Sequence, residues 1–194
     1  MLYLASASPR RRALLEQAGV SFVVVSSDAP EHFQQGMTPA GVVATLAARK
    51  AWAAPVQLAP GDVVLGADTV VTLEGRILGK PSDAEEAAAM LRALSGRWHR
   101  VYTGFCLRAQ ERTLCGVSRT SVRFYPLSDE AIRRYVETGE PMDKAGAYGI
   151  QEGGALFVRE IRGDYSNVVG LPVARVCRLL QQLSGVERPI LNQF

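Results

Sequence analysis

The amino-acid sequence predicts a mixed sheet in an α/β or α+β fold. Three observations lead there: helical and extended patterns alternate from end to end, helix-start signals recur between the extended runs, and two long extended segments flank a short polar turn as a hairpin. At 194 residues, 47% of them hydrophobic, the chain has material for a sizeable core in one domain spanning 1–194, or one domain with two lobes.

Residues 2–5 read as a short buried strand. Ser8-Pro9 then starts a helix, with serine as cap and proline at the first helical position, and Gly19 stops it. Residues 22–25 form a second strand, and the polar residues 28–37 a loop. Thr38-Pro39 repeats the start signal for a helix reaching about Trp52, with Val42, Val43, Leu46, Ala47 and Lys50 at helical spacing. Residues 63–73, rich in β-branched side chains, make a long strand that Glu74-Gly75-Arg76 turns into a short return strand. Ser82-x-x-Glu85 reads as a capping box for a helix ending at Gly96. Residues 97–108 and 113–124 are the hairpin strands around Gln110-Glu111-Arg112. Ser128 caps a helix that Gly139 ends, with Asp129 and Glu130 in the first turn where the helix dipole favours them. A glycine-rich segment at 145–154 precedes a strand at 156–161, and Leu171-Pro172 opens a last helix to about Leu183.

The bulk numbers exclude several classes of function. Twenty-two basic against 19 acidic residues give a net charge of +3, too mild and too dispersed for nucleic-acid binding. No apolar run approaches the roughly 20 residues needed to span a membrane. The start Met1-Leu2-Tyr3-Leu4 lacks the order of a signal peptide. Cys106, Cys115 and Cys177 are odd in number, widely spaced and without a C-x-x-C pair, which reads as buried free thiols in a reducing cytoplasm.

Four segments are candidates for chemistry. In Ser6-Ala7-Ser8-Pro9-Arg10-Arg11 a strand end, a turn and a helix N-terminus offer backbone N–H groups, hydroxyls and arginines to phosphate; a plain capped helix is the alternative. Asp68 falls inside the apolar run 63–71, where a carboxylate needs a partner or a metal; a structural aspartate capping a strand end is the alternative. Gly66 and Ala67 before it leave room for a ligand. Gly75-Arg76-Ile77-Leu78-Gly79-Lys80-Pro81 misses the phosphate-loop spacing by one residue and has proline where a Ser or Thr is required, leaving Lys80 as a point charge for phosphate or as a surface lysine. The segment 143–151, a charged pair followed by small residues, suggests close backbone approach to another segment or to a ligand.

Together these segments resemble the Maf family of nucleoside triphosphate pyrophosphatases. The resemblance rests on residues 5–11, Arg49-Lys50-Ala51, Gly66-Ala67-Asp68-Thr69, Gly79-Lys80-Pro81, Leu94-Ser95-Gly96-Arg97, the run 140–151 and Val169-Gly170-Leu171-Pro172, in order over nearly the whole chain. It implies an α/β fold with an elongated mixed sheet flanked by helices, two lobes around a nucleotide-binding cleft, a homodimer, and metal-assisted hydrolysis of a triphosphate to the monophosphate and pyrophosphate. Asp68 then matches the catalytic carboxylate, and Glu31 with Asp68 would hold magnesium or manganese. Lys50, Lys80 and Arg10, with Ser6 and Ser8, match groups placed around phosphate. Pro30 departs from the acidic or flexible residue that relatives carry before Glu31.

Three positions divide the family by base, and here they read Arg11, Thr69 and Gln151. That combination resembles the subgroup cleaving dTTP and UTP. Trp, Gln and Glu would mark the subgroup acting on 7-methyl-GTP. A glutamine amide offers one donor and one acceptor to the N3–H and O4 of uracil or thymine. Modified pyrimidine triphosphates such as 5-methyl-UTP or pseudo-UTP present a similar edge. The family name also raises a non-enzymatic alternative, a nucleotide-responsive regulator of septum formation.

Overall fold

The computed structural model describes residues 1–184. The elements are β1 (Leu2–Ala5), α1 (Pro9–Gln17), β2 (Val23–Val24), α2 (Pro39–Ala53), β3 (Val63–Leu73), β4 (Arg76–Leu78), α3 (Ala84–Leu94), β5 (Trp98–Arg108), β6 (Thr113–Phe124), α4 (Asp129–Glu137), β7 (Val158–Arg162), α5 (Tyr165–Val169) and α6 (Val173–Ser184). The strands pair in the order β2-β1-β3-β5-β6-β7, with β4 on β3. β1 runs parallel to both β2 and β3, whereas β3–β4 and β6–β7 are antiparallel. The expected mixed sheet flanked by helices is therefore present. Residues 185–194, the end of the expected domain, lie outside the described residues.

The chain divides into two compact units; three boundaries fall inside β3, β5 and β6, and the fourth follows α5. The first contains Met1–Asp68, Thr103–Ser118 and the chain from Gly170; the second contains Thr69–Tyr102 and Arg119–Val169.

In the first unit α2 lies directly on the sheet. Two strand glycines permit this. A β-carbon on Gly66 of β3 would stand 2.2 Å from the Ala47 carbonyl oxygen, and one on Gly104 of β5 would stand 2.2 Å from the Val43 carbonyl oxygen. The matching helix face is small: Ala47, Ala51 and Ala54 pack with Ala5, Val64 and Cys106. The room that Gly66 provides is thus filled by the α2 backbone and not by a ligand.

The second unit is built on edge-to-face aromatics. His99, Phe124 and Tyr148 meet at centroid distances of 4.8–5.4 Å, and Phe157 joins Phe124 to Tyr135. His99 Nε2 and the Tyr148 hydroxyl are 2.8 Å apart, while His99 Nδ1 is buried without a hydrogen-bond partner. Burial pulls the His99 pKa from 6.5 down to about 4. An unfolded chain binds that proton below pH 6.5 and the folded chain does not until about 4, so stability should fall as pH drops through this window. The loss amounts to about 1.4 kcal/mol per pH unit at full slope. Thermal melts between pH 7 and 4 should show the decline in the wild type and a flatter profile in His99→Gln. Equal slopes would show that another group titrates there.

Both Ser/Thr-Pro signals act as read. Ser8 caps α1 by accepting from Arg11 N–H, and Thr38 caps α2 by accepting from Gly41 N–H. Four details differ. The capping box sits one residue later, with Asp83 accepting from Glu86 N–H and the Glu86 carboxylate accepting from Ser82 N–H. Asp83 wins because its short carboxylate caps as well as a serine and adds charge at the positive helix end. The glycine-rich segment folds into short 3-10 turns, Glu140–Asp143, Ala145–Ala147 and Gly153–Phe157, and the strand after it starts at Val158. α5 has no counterpart in the sequence reading; Asp164 caps it by accepting from Ser166 and Asn167 N–H groups. Cys106 and Cys177 are buried as expected, but Cys115 is exposed.

Candidate active site

Parallel strands deliver their carboxyl ends to one side, the usual location of ligand sites in α/β sheets. β1 ends at Ala5, in register with Gly66 of β3, so the turn at Ser6–Ser8 leaves the sheet beside the segment leading to Asp68. β2 lies against the other edge of β1, and the loop carrying Glu31 follows it.

Lys50 in the last turn of α2 joins these segments. Its Nζ donates to Asp68 Oδ1 at 2.7 Å and to Glu31 Oε1 at 2.8 Å. The Lys50 and Asp68 side chains are each 13% exposed, whereas Glu31 is 68% exposed. The carboxylate that the apolar strand made costly is therefore paired with an equally sheltered ammonium. Glu31 adds a solvated, weaker contact. One packing contact and two hydrogen bonds position this trio. The close approach at Gly66 brings the last turns of α2 to β3, Ser27 Oγ donates to the Lys50 carbonyl at 3.1 Å, and Arg49 Nη1 donates to the His32 carbonyl at 2.5 Å. Arg49 thereby anchors the loop after Pro30 and holds Glu31 toward Lys50.

The Ser6–Arg11 segment is more committed to its own structure than the sequence suggests. Ser6 Oγ accepts from Ser8 N–H at 3.3 Å and from Arg11 Nη1 at 3.0 Å. Arg11 is buried, and its Nε donates to the Gly170 carbonyl at 2.9 Å. Burial lowers the Arg11 pKa, and the Asp68 charge opposes that shift, so this guanidinium lies within electrostatic reach of Asp68. Arg10 is half-buried in the first turn of α1. Arg49, Ser27 and the Gly170 carbonyl were the supporting groups that residue-by-residue reading passed over. Their only signal was the family-like runs around Arg49 and Gly170.

The structure thus brings Ser6, Ser8, Arg10, Arg11, Glu31, Lys50 and Asp68 onto the first unit. The other named residues belong to the second. Thr69 directly follows Asp68 in β3, Lys80 is exposed after β4, and Gln151 is exposed in the glycine-rich segment. That segment's close approach is to other chain segments. Gly146 N–H donates to the Gly79 carbonyl at 2.9 Å, and a β-carbon on Gly146 would stand 2.8 Å from Val71.

Were a hard divalent cation to bind here, Glu31 and Asp68 are the carboxylates the site would offer it, since magnesium takes one or two carboxylates beside phosphate and water; the point on which the two converge is held by the Lys50 ammonium. No group of three or more His, Cys, Asp or Glu gathers among the described residues. A cation held by this pair would draw its remaining oxygens from phosphate and water.

Fold and site together define a mixed α/β protein whose parallel strand ends carry a lysine-bridged carboxylate pair flanked by a buried arginine. The family model for Maf-like protein matches residues 1–183, and the chain belongs to that family. It is 52% identical over 182 residues to the dTTP/UTP pyrophosphatase of Bacillus cytotoxicus, covering 94% of this chain and 95% of the relative. It is 53% identical over 181 residues to that of Symbiobacterium thermophilum (93% of each) and 50% identical over 181 residues to that of Bacillus cereus strain B4264 (93% and 94%). A solved structure, the Staphylococcus aureus Ham1 protein, aligns at a TM-score of 0.42 and 15% identity over 63% of this chain and 71% of that one, a likeness too weak to carry a fold assignment. No helix among the described residues is long and apolar enough to cross a membrane.

Proposed function

We propose that this chain is a cytoplasmic nucleoside triphosphate pyrophosphatase that converts dTTP and UTP to the monophosphate and pyrophosphate. The observation that carries the reading is the sheltered Lys50 ammonium shared by Asp68 and Glu31. Pure nucleotide binding has no use for carboxylates beside anionic phosphates, whereas hydrolysis needs a base. Kinship at about half identity to relatives bearing the dTTP/UTP name supports the substrate class.

A triphosphate brings close to four negative charges, which Arg10, Lys50 and Lys80 would offset. Lys50 lies between two carboxylates, so it can exchange one of them for a phosphate oxygen without losing its partnership. A magnesium or manganese ion bound by Glu31 and Asp68 would supply further neutralisation and orientation of the phosphate oxygens. Asp68 Oδ is the base that takes a proton from water as its oxygen attacks the α-phosphorus. The bond from that phosphorus to the oxygen bridging the β-phosphate breaks, and pyrophosphate leaves. Arg11, already locked by Ser6 and Gly170, is a fixed donor; the family resemblance adds Thr69 and Gln151 as the other positions that select the pyrimidine edge. The family resemblance further implies a homodimer, which light scattering would test.

A panel of dTTP, UTP, CTP, GTP and 7-methyl-GTP with magnesium or manganese, assayed separately for pyrophosphate and orthophosphate, tests the proposal. Pyrophosphate release strongest with dTTP and UTP is expected. Orthophosphate release, a preference for 7-methyl-GTP, or no turnover would overturn it.

A further inference from the structure

We infer that Glu140 is a positioning residue for Gln151, and that with Tyr135 it staples the base-reading loop at both ends. The inference rests on the proposed substrate class and names how the loop that would read the base is held.

Gln151 projects from a stretch that has little regular structure of its own, yet its flanks are fastened on both sides to one carboxylate–phenol pair. Tyr135 is buried on α4, and its hydroxyl donates to Glu140 Oε1 at 2.5 Å. Two residues before Gln151, Gly149 N–H donates to that same hydroxyl at 3.0 Å. Two residues after it, Gly153 N–H donates to Glu140 Oε2 at 3.0 Å, and Gly154 N–H lies 3.4 Å from Glu140 Oε1. The carboxylate thus accepts from a side chain and two backbone amides, which uses both oxygens. Charge-assisted bonds of this kind are stronger than neutral ones.

The packing requires glycine where these bonds occur. A β-carbon on Gly149 would stand 2.6 Å from Lys144 Cε and 3.1 Å from Glu140 Oε1, and one on Gly154 would stand 2.6 Å from the Gly149 carbonyl oxygen and 2.9 Å from the Tyr135 hydroxyl. Lys144, buried at 7% exposure, closes the arrangement. Its Nζ donates to the Glu140 carbonyl at 2.7 Å and pairs with Asp143 at 2.8 Å and Glu152 at 3.1 Å. Burial and the adjacent Glu140 carboxylate push the Tyr135 pKa up, so the hydroxyl keeps the proton it donates. Gly149, Glu152, Gly153 and Gly154 around Gln151 are therefore held while Gln151 itself stays exposed. A glutamine amide discriminates only if it is held in place, because its donor and acceptor are useful only in a set orientation.

A double-mutant cycle on the full chain tests this, with kcat and KM for UTP and for CTP measured in wild type, Glu140→Ala, Gln151→Ala and the double variant. Glu140→Ala should raise KM for UTP by roughly tenfold to a hundredfold with a much smaller change in kcat, and shrink the UTP-over-CTP preference. The double variant should be no worse than Gln151→Ala alone. Glu140→Gln and Tyr135→Phe, milder changes, serve if the alanine variant fails to fold, and should give intermediate losses. Amide exchange reads the staple without substrate: Gly149, Gly153 and Gly154 should exchange faster in the Glu140 variants while the strand amides keep their protection. Additive losses, an unchanged UTP-to-CTP ratio, a fall in kcat alone, or unaltered exchange at these glycines would each overturn the inference. A wild type without pyrimidine triphosphate turnover overturns the proposed function and this use of Gln151 with it. A wild type that prefers UTP, combined with an additive cycle, overturns the inference alone.

Discussion

Asp68→Asn should lower kcat for UTP by about 10²–10⁴-fold, the range that general-base catalysis contributes, with the fold intact. Asparagine keeps the shape of the side chain and an oxygen to accept from Lys50, which also retains Glu31. It loses the negative charge and with it the ability to take a proton from water. The melting temperature should fall, because the sheltered Lys50 ammonium loses its equally sheltered counter-charge and keeps only the asparagine oxygen and the exposed Glu31 carboxylate. Steady-state assays of pyrophosphate release with a thermal melt on the same sample check both halves. A kcat within about threefold of wild type would remove Asp68 from the chemistry.

Gly66→Ala should destabilise the chain by about 1–3 kcal/mol, the usual cost of forcing an extra group into a packed core. At this chain length that corresponds to roughly 2–12 °C in melting temperature. The added methyl would meet main-chain atoms, the Ala47 oxygen at 2.2 Å and the Ala51 nitrogen at 2.5 Å, and main chain cannot rotate aside as a side chain can. α2 must lift, and Lys50 in its last turn lifts with it. The variant should therefore lose activity beyond what its residual stability explains, measured well below its melting temperature. Gly79→Ala is the control, since nothing stands within 4 Å of its added carbon, and it should change stability by less than about 0.5 kcal/mol. Equal melting temperatures for the two variants would mean that the helix and strand are not pressed together at Gly66.

The sequence by itself determined the local features. Ser8-Pro9 and Thr38-Pro39 mark helix starts because a capping hydroxyl and a fixed φ act within one turn, and β3 follows from its β-branched run. The family pattern named Glu31, Lys50 and Asp68 from short runs of residues. Only the tertiary structure decided how those residues combine. That Lys50 serves Asp68 and Glu31 at once depends on a helix, a strand and a loop meeting. Gly66 looked like space for a ligand because a missing side chain does not say what fills its place; the α2 backbone does. Ser6 and Ser8 looked like phosphate hydroxyls, yet Ser8 caps the helix start locally, and Ser6 accepts from the Arg11 guanidinium, whose direction depends on Gly170, far along the chain. Glu140 drew no notice by itself, because its three acceptor contacts come from Tyr135, Gly153 and Gly154. Spacing along the chain reports the periodicity of one element and its caps. Convergence of several elements on one carboxylate is a long-range property, and it leaves no mark in any single window of sequence.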